Sequence, residues 1–596
     1  MRLVFDIETD GLDPSVIHCI VAKDVDTKAV YRFYWGMIPD GAKLLSMAEE
    51  LIGHNIVAYD MVVMRKFFPD LFGESLQCKL TDTLVLSRLL WPDRREKDFK
   101  LHREGRLIPK LIGSHSLKAW GQRLGDLKDS FGESTDWSEF SEEMLDYCEQ
   151  DVELNYRLYQ LCLKQECSQD AIDLEHDIHS ICLKQTDNGF PLDEDKAVQL
   201  YSRLSTRRQD IYNELVDSFG QWWEGVGVIT PKRDLRYKDV TRQSVWKDAP
   251  YTKIKRVTFN PASRFHIAQR LTHKYGWEPE LFTETDEPRV DDKVLGSLEY
   301  PEAQLLAEYL LLQKRIGQIA EGNQAWLKLS KDGKLHGRVN TMGCVTSRCT
   351  HSNPNTGQVP SVNAKYGWEC RELFHAPKGW LLMGCDVSGL ELRTLAHYVS
   401  AWDEGKYADI LLEGDIHQAT ADATGLSRNN AKTFQYALLY GGGDEKIGSI
   451  VGGGKKEGAA LKRKYFKATP AIKKLRSAVQ DKAKQGYIKG IDGRHVPIRH
   501  SHAALNSLLQ SCGAILCKRW VVLFHDLLNK NGFVEGVDYQ QVAYVHDEVQ
   551  VLVREQVAND IGLLCIEAIK LSGQYYSIRL PLDGEYKVGA NWAETH

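Results

Sequence analysis

Three features of the sequence predict an α+β chain of several domains. Its 596 residues suffice for more than one hydrophobic core, and 43% hydrophobic content is ordinary for a globular protein. Short apolar runs that end in carboxylates occur near both ends of the chain and read as strands. Long stretches of mixed charge and apolar residues between them read as helices.

In chain order, Met1 to Glu8 is a strand, and its period of two puts Asp6 and Glu8 on one face. Asp60 follows in His54-Asn55-x3-Tyr59-Asp60, and Tyr147 and Asp151, four apart in an acidic helical stretch, share a helix face. Four carboxylates and a tyrosine can hold two divalent ions and orient a water against a phosphodiester. Each of these residues alone is what a solvated surface also displays, and the weight lies in the ordered set.

The stretch from Leu174 to Arg315 reads as helical and charge-mixed. Within it a loop between Phe219 and Phe259 carries Lys232, Arg233, Arg236, Lys238, Arg242, Lys247, Lys253, Lys255 and Arg256, with Trp222, Trp223 and Trp246, a composition suited to DNA phosphates. The apolar run from Trp380 to Cys385 is a strand closed by Asp386. A second alternating run, Ala543 to Val553, is interrupted by Asp547 and Glu548. A strand delivers its terminal carboxylate to the sheet edge. Two such strands can therefore bring Asp386 and Asp547 onto one pair of divalent ions ~4 Å apart, the arrangement used for in-line phosphoryl displacement.

Between these carboxylates, Ser427 to Tyr440 predicts a helix ended by Gly441, Gly442 and Gly443. Arg428, Lys432, Tyr436 and Tyr440 recur at steps of four and form one drifting stripe. Such a stripe can hold a triphosphate: a guanidinium fork, a point charge, and two flat surfaces for sugar and base. An amphipathic surface helix with two cations is the plainer reading of the stripe alone, and the flanking carboxylate strands weigh against it.

These residues resemble the three polymerase motifs of the DNA polymerase I family (family A). Asp386-Val387-Ser388-Gly389-Leu390-Glu391-Leu392-Arg393 is similar to motif A, Arg428-x3-Lys432-x3-Tyr436-x3-Tyr440-Gly441 to motif B, and Val545-His546-Asp547-Glu548 to motif C. Within the family the similarity is to the replicative polymerases of the T-seven group of podophages. It extends to Gly414-Asp415-Ile416-His417 and Ala590-Asn591-Trp592. The resemblance implies that Asp386, Asp547 and the Val387 carbonyl bind two Mg²⁺ ions, with Mn²⁺ as an alternative, and that Glu548 supports them. It further implies that Arg428, Lys432 and His417 contact the incoming triphosphate, with Tyr440 on the same nucleotide-binding stripe. Glu391 and Tyr436 would close over the sugar, and Arg348, Gln510 and His546 would contact the primer-template end. The run Pro354-Asn355-Thr356-Gly357-Gln358-Val359-Pro360 departs from the family wording, which often has leucine after the asparagine. The N-terminal trio resembles the DnaQ-like 3′–5′ exonucleases, whose fold is RNase H-like. Asp6, Glu8, Asp60 and Asp151 match as metal ligands and Tyr147 as the residue that positions the water.

The implied architecture is an RNase H-like exonuclease domain over residues 1–165 and a thumb over 166–330 with a shortened loop at 219–259. Palm and fingers follow over 331–596, the fingers at about 411–500 and the palm built on an antiparallel sheet. The implied activity is template-directed DNA synthesis with proofreading. A stand-alone exonuclease with a DNA-gripping C-terminal half is the alternative. Primer-template DNA, dNTPs and a replisome helicase-primase are the expected partners. In the T-seven group a long basic thumb insertion binds host thioredoxin, and the short loop here argues against that partner.

Charge and cysteine content agree with this. The net charge of −6 is segregated, since residues 451–500 hold fourteen Lys and Arg against three Asp and Glu. Arg494, in this basic stretch, is expected to contact DNA. The thirteen cysteines include no Cys-x2-Cys pair, which argues for reduced thiols rather than zinc. No leader and no membrane-length apolar run is apparent, so a cytoplasmic location, in the host if the gene belongs to a phage, is expected.

Overall fold

A computed structural model describes residues 1–73, 76, 78–125, 136–236, 244–283 and 285–596. The chain forms two compact units. The first comprises Met1–Pro191, His336–Val359 and Phe374–His596, the second Leu192–Leu335 and Pro360–Leu373.

The first unit begins with a five-stranded mixed sheet of β1 (Arg2–Thr9), β2 (Ile17–Asp24), β3 (Val30–Tyr34), β4 (Glu50–Gly53) and β5 (Lys79–Asp82), in the order β3-β2-β1-β4-β5. β1 runs antiparallel to β2 and parallel to β4. Its alternation divides two cores. Leu3, Phe5 and Ile7 pack with Met61 and Met64 of α1 (Asp60–Phe67). Val4 joins Val21, Ile52 and the α2 (Glu142–Leu163) residues Cys148 and Val152. Asp6 and Glu8 share the parity of Val4 and so face α2. Ser141 starts α2 by accepting a hydrogen bond from the Met144 amide.

α3 (Gln169–Asn188) contributes Leu174, Ile178 and Cys182 to the central core of the same unit. The stretch of the first unit that contains α3 runs to Pro191, because the apolar face of α3 is buried against strands far along the chain. Residues 360–373, expected with the palm, group with the second unit.

A helical layer follows, with α4 (Leu390–Asp403), α5 (Ile416–Thr424) and α6 (Arg428–Leu439). Their apolar faces share a core with the helices Lys455–Ala468 and Pro470–Lys482, through Leu395, Phe434, Leu461 and Ile472. The second sheet is fully antiparallel, in the order β7-β8-β6-β9, with β6 (Leu381–Val387), β7 (Tyr539–Val545), β8 (Glu548–Val553) and β9 (Gly584–Gly589). α7 (Ala504–Lys530) and α8 (Ala558–Tyr575) cover it through Ile515, Trp520, Ile561 and Ile569. Gly384 is required in β6, since a Cβ there would lie 2.4 Å from Gln550 Nε2 and 2.5 Å from the Thr595 carbonyl. Among the described residues one helix, Ser501–Lys530, has the length and mean apolarity of a membrane span. It is the core helix of this unit, with 89% of its most apolar window buried.

In the second unit, helices Glu194–Phe219 and Pro301–Ile316 bury Leu200, Leu204, Leu306 and Leu312. The expected helical run is broken between them by an antiparallel hairpin of Gln221–Ile229 and Tyr251–Thr258. Most of its residues are exposed, including Trp223 and Val228. Lys238 and Arg242 lie outside the described residues.

Candidate active sites

The first constellation follows from the parity of β1. One ligand atom from each of Asp6, Glu8 and Cys148 lies within 4.8 Å of the others. Cys148, which the sequence gave no reason to single out, sits one residue after Tyr147 and donates to the Asp6 carbonyl at 3.5 Å. Asp60 opens α1 and is buried. Its carboxylate accepts from the Ile7 amide, between Asp6 and Glu8, and burial raises its pKa to about 7, with the nearby Asp82 adding to the rise. Asp82 is a second residue missed from sequence. It is fully buried and accepts from the Asn55 and Leu84 amides, at 2.9 and 2.8 Å, which fixes the approach to Asp60. Asp151 is buried one helical turn beyond Tyr147 on α2, and Tyr147 packs edge-on to Trp137. One Asp60 oxygen is buried without a hydrogen-bond partner. Carboxylates beside a buried Asp60 whose proton affinity is raised by lost hydration fit a divalent cation, which would satisfy that atom.

The second constellation lies at the edge of the antiparallel sheet. Asp386 pairs in register with Glu548, and the Val387 amide donates to the Asp547 carbonyl at 3.1 Å, which ties β6 to the turn between β7 and β8. His546 makes that turn with φ of +61°. Asp547 is pushed up to about 6, first by burial and then by Glu391, Asp386 and Glu548, while Asp386 is raised by burial and by Glu548. Carboxylates whose proton affinity is raised by burial and then by one another also fit divalent ions. Glu548 is buried and strongly held: Trp592 Nε1 donates to Oε1 at 2.5 Å, Gln550 Nε2 to the same oxygen at 2.6 Å, and His596 Nδ1 lies 2.9 Å from Oε2. Of these supports only Trp592 lies in a stretch that the resemblance covers, Ala590-Asn591-Trp592, while Gln550 and His596 carry no motif.

Ser427 caps α6, and Ala431, Phe434, Gln435 and Leu439 turn inward. The opposite stripe of Arg428, Lys432, Tyr436 and Tyr440 is thereby left on the open side, as its spacing predicts. Tyr436 and Tyr440 stack at 6.4 Å. Tyr440 donates to Glu391 at 2.8 Å, and Arg348 lies 3.8 Å from the same oxygen, so Glu391 is engaged by Tyr440 rather than by Tyr436. Burial raises the Tyr436 pKa, as do Glu391 and Asp547, which puts its hydroxyl in the field of the carboxylates. His417 is oriented through Nδ1 by Gln435 at 2.8 Å, and Gln435 by Tyr407 at 2.9 Å. Arg428 pairs with Asp415 at 2.6 Å. A cleft of about 180 Å³ collects Arg348, Glu391, Tyr440, Gly513, Cys517, His546 and Asp547. Gln510 is half-buried on α7, on the helix face of Gly513, Ala514 and Cys517.

Arg494 does not belong to a DNA-contacting surface. It is 1% exposed and pairs with Glu175 at 2.5 Å and Asp492 at 2.6 Å. Lys518, fully buried, completes the cluster on Glu175 at 2.6 Å. A count of charges along a segment cannot tell an inward arginine from an outward one.

The family model for DNA polymerase family A matches residues 238–594. The chain is 37% identical to the DNA-directed DNA polymerases of Enterobacteria phage T3 and Escherichia phage T7, over all of both chains in each case. It is also 26% identical to DNA polymerase I of Pseudomonas aeruginosa, over 57% of this chain and 39% of that one. The chain belongs to DNA polymerase family A. The alignments to the two phage polymerases run over 706 positions against 596 residues here, so this family A chain lacks segments that they carry.

Proposed function

We propose that this family A chain is a template-directed DNA-dependent DNA polymerase that copies phage DNA and proofreads with its own 3′–5′ exonuclease. The observation that carries the reading is the pairing of β6 with β8. It brings Asp386 and the His546-Asp547 turn to one sheet edge, where Tyr436 feels Asp547 and Tyr440 binds Glu391.

In this reading Asp386, Asp547 and the Val387 carbonyl hold two Mg²⁺ ions, or Mn²⁺, with Glu548 as support. Such ions supply Lewis-acid stabilisation of the phosphates and a lowered pKa for the primer hydroxyl. The Arg428 fork and Lys432 bind triphosphate oxygens, and His417 offers its second ring nitrogen to the same group. Tyr436 and the Glu391–Tyr440 pair flank the sugar and exclude a ribose 2′-hydroxyl. Arg348, Gln510 and His546 hold the primer-template end, so that the reacting atoms meet in line. In the N-terminal site, Asp6, Glu8, Asp60 and Asp151 hold the ions of the exonuclease and Tyr147 orients the attacking water.

The five-stranded sheet with its helices is read as an RNase H-like domain, the antiparallel sheet as a palm, α5, α6 and the two helices after them as fingers, and the second unit as a thumb. Primer-template DNA and dNTPs are the substrates, a helicase-primase is the replisome partner, and the host cytoplasm is the compartment. Host thioredoxin is not expected to bind. Instead the hairpin of the second unit grips DNA directly, through Lys232, Arg233, Arg236, Lys253, Lys255 and Arg256.

A stand-alone exonuclease would have no use for Asp386 and Asp547 beside a cation-tyrosine stripe. A labelled primer on a longer template, incubated with Mg²⁺ and four dNTPs, tests the reading. Elongation to the template end is expected, and shortening alone would contradict it.

A further inference from the structure

His417, on α5, is held by a polar chain that runs into the core of the helical layer. Gln435 is fully buried on the inner face of α6. Its Oε1 lies 2.8 Å from His417 Nδ1, and its Nε2 lies 2.9 Å from the hydroxyl of Tyr407, on the helix Lys406–Glu413. Tyr407 in turn gives its hydroxyl proton to Tyr465, on the helix Lys455–Ala468. Both phenols are buried, and lost hydration raises the pKa of each, which keeps them neutral. The Tyr407 oxygen is therefore left as an acceptor, so Gln435 turns its amino group to Tyr407 and its carbonyl oxygen to His417. A carbonyl oxygen only accepts, and the ring proton of His417 therefore sits on Nδ1.

That bond uses the one N–H of the neutral ring. Nε2, the nitrogen left for the nucleotide, then carries a lone pair, and the oxygens of a fully ionised triphosphate are acceptors as well. Contact between them requires a second proton, after which Nδ1 donates to Gln435 and Nε2 donates to phosphate in a charge-assisted bond. The charged groups around the ring balance one another. Asp415 caps α5, accepting from the His417 and Gln418 amides at 3.0 Å each, and it is already engaged by Arg428 at 2.6 Å. Arg428 and Lys432 on α6 oppose a further positive charge, and the Tyr436 ring lies 6.1 Å from the His417 ring. The negative charge of an arriving triphosphate is what tips this balance toward the imidazolium.

We infer that the Gln435–Tyr407 chain makes His417 bind the incoming triphosphate only as the imidazolium, so that nucleotide binding takes up a proton. The inference rests on the reading of His417 as a triphosphate contact given above. Gln435 and Tyr407 are positioning residues, buried behind the nucleotide-facing stripe and acting through the ring. By linkage, the affinity for triphosphate falls as pH rises through the titration of that ring.

The test is calorimetric and uses the full chain on a dideoxy-terminated primer-template, with Asp6→Ala and Glu8→Ala added to prevent hydrolysis. Binding of the next correct dNTP with Mg²⁺ is followed at mildly alkaline pH in buffers of different ionisation enthalpy, which yields the protons taken up. The chain with His417 is expected to take up more than His417→Gln does, by roughly half to one proton. Gln435→Leu removes the fixed acceptor, so that a neutral ring with its proton on Nε2 can donate. Its uptake should fall to the His417→Gln level, and the pH dependence of its dNTP affinity should flatten. A glutamine with a merely structural role would lower affinity or stability and leave the uptake unchanged, which would overturn the inference. Equal uptake with and without His417, with weaker binding in His417→Gln, would also overturn it and leave the triphosphate contact standing. No change in either affinity or uptake on His417→Gln would remove that contact, and the inference with it. If Gln435→Leu does not fold, the ¹⁵N shifts of the His417 ring in the chain without nucleotide, assigned by difference from His417→Gln, carry the test. A protonated Nδ1 with a bare Nε2 is expected, and the opposite tautomer would overturn the inference.

Discussion

The two carboxylate sites are made of the same material and held in different ways. Around β1, the acids are local to one sheet and two helices, and Asp60 and Asp151 are buried. At the edge of the antiparallel sheet, Asp386 is exposed and Asp547 half-buried, and the buried member is Glu548, fixed by Trp592 and Gln550. The closed arrangement suits a short strand end and a water. The open one leaves room for a duplex end and a triphosphate, and it moves the rigid support behind the acids. In the proposed roles, similar chemistry is compatible with different burial because a strand end and a duplex end differ in size.

Three changes probe that contrast at decreasing cost. The largest concerns the support of the open site. Glu175, Arg494 and Lys518 form a buried ionic cluster joining α3, the 487–497 hairpin and α7. Removing one partner from such a cluster strands a buried charge, so Arg494→Ala should destabilise the first unit by about 3–5 kcal/mol in denaturant titrations. DNA affinity of the folded variant should stay at the wild-type value. A variant that is stable and binds DNA weakly would return Arg494 to the DNA surface.

Next comes selectivity in the open site. The Tyr436 hydroxyl stands in the field of Glu391 and Asp547, where it can bond near the sugar edge that lacks a 3′-hydroxyl in a dideoxynucleotide. Tyr436→Phe should raise discrimination against dideoxynucleotides by on the order of 10²-fold or more, measured as a ratio of incorporation efficiencies. An equal ratio in both enzymes would exclude this role.

The smallest effect is on product length. Alanine at Lys232, Arg233, Arg236 and Lys238 should shorten the product made per binding event and flatten the salt dependence of DNA binding by about 1 per cation removed, with single-nucleotide addition intact. A large gain in product length when purified thioredoxin is added to the unmodified enzyme would refute a partner-free grip.

Much of this was legible in the sequence where period and chemistry coincide. Asp6 and Glu8 share a face because strands alternate, and Arg428 to Tyr440 form a stripe because α6 buries Phe434 and Gln435 on its other side. Asp386, near the end of β6, meets Asp547 because β6 pairs with β8, which follows directly on the turn that holds Asp547. What was not legible depends on long-range packing. Trp592 and His596 reach Glu548 only through the folded sheet, and Cys148 is one of thirteen cysteines until α2 lies on β1. The inward turn of Arg494 is set by Glu175, more than 300 residues earlier in the chain. The basic loop became a hairpin because Trp222 and Val257 pair across it, a register that its composition does not reveal.

The most direct test of two independent sites is a paired assay of extension and degradation on one labelled primer-template. Asp547→Ala should abolish nucleotide addition and leave primer degradation, and Asp6→Ala with Glu8→Ala should do the reverse. Loss of both activities from either change, in protein that still folds, would contradict the account.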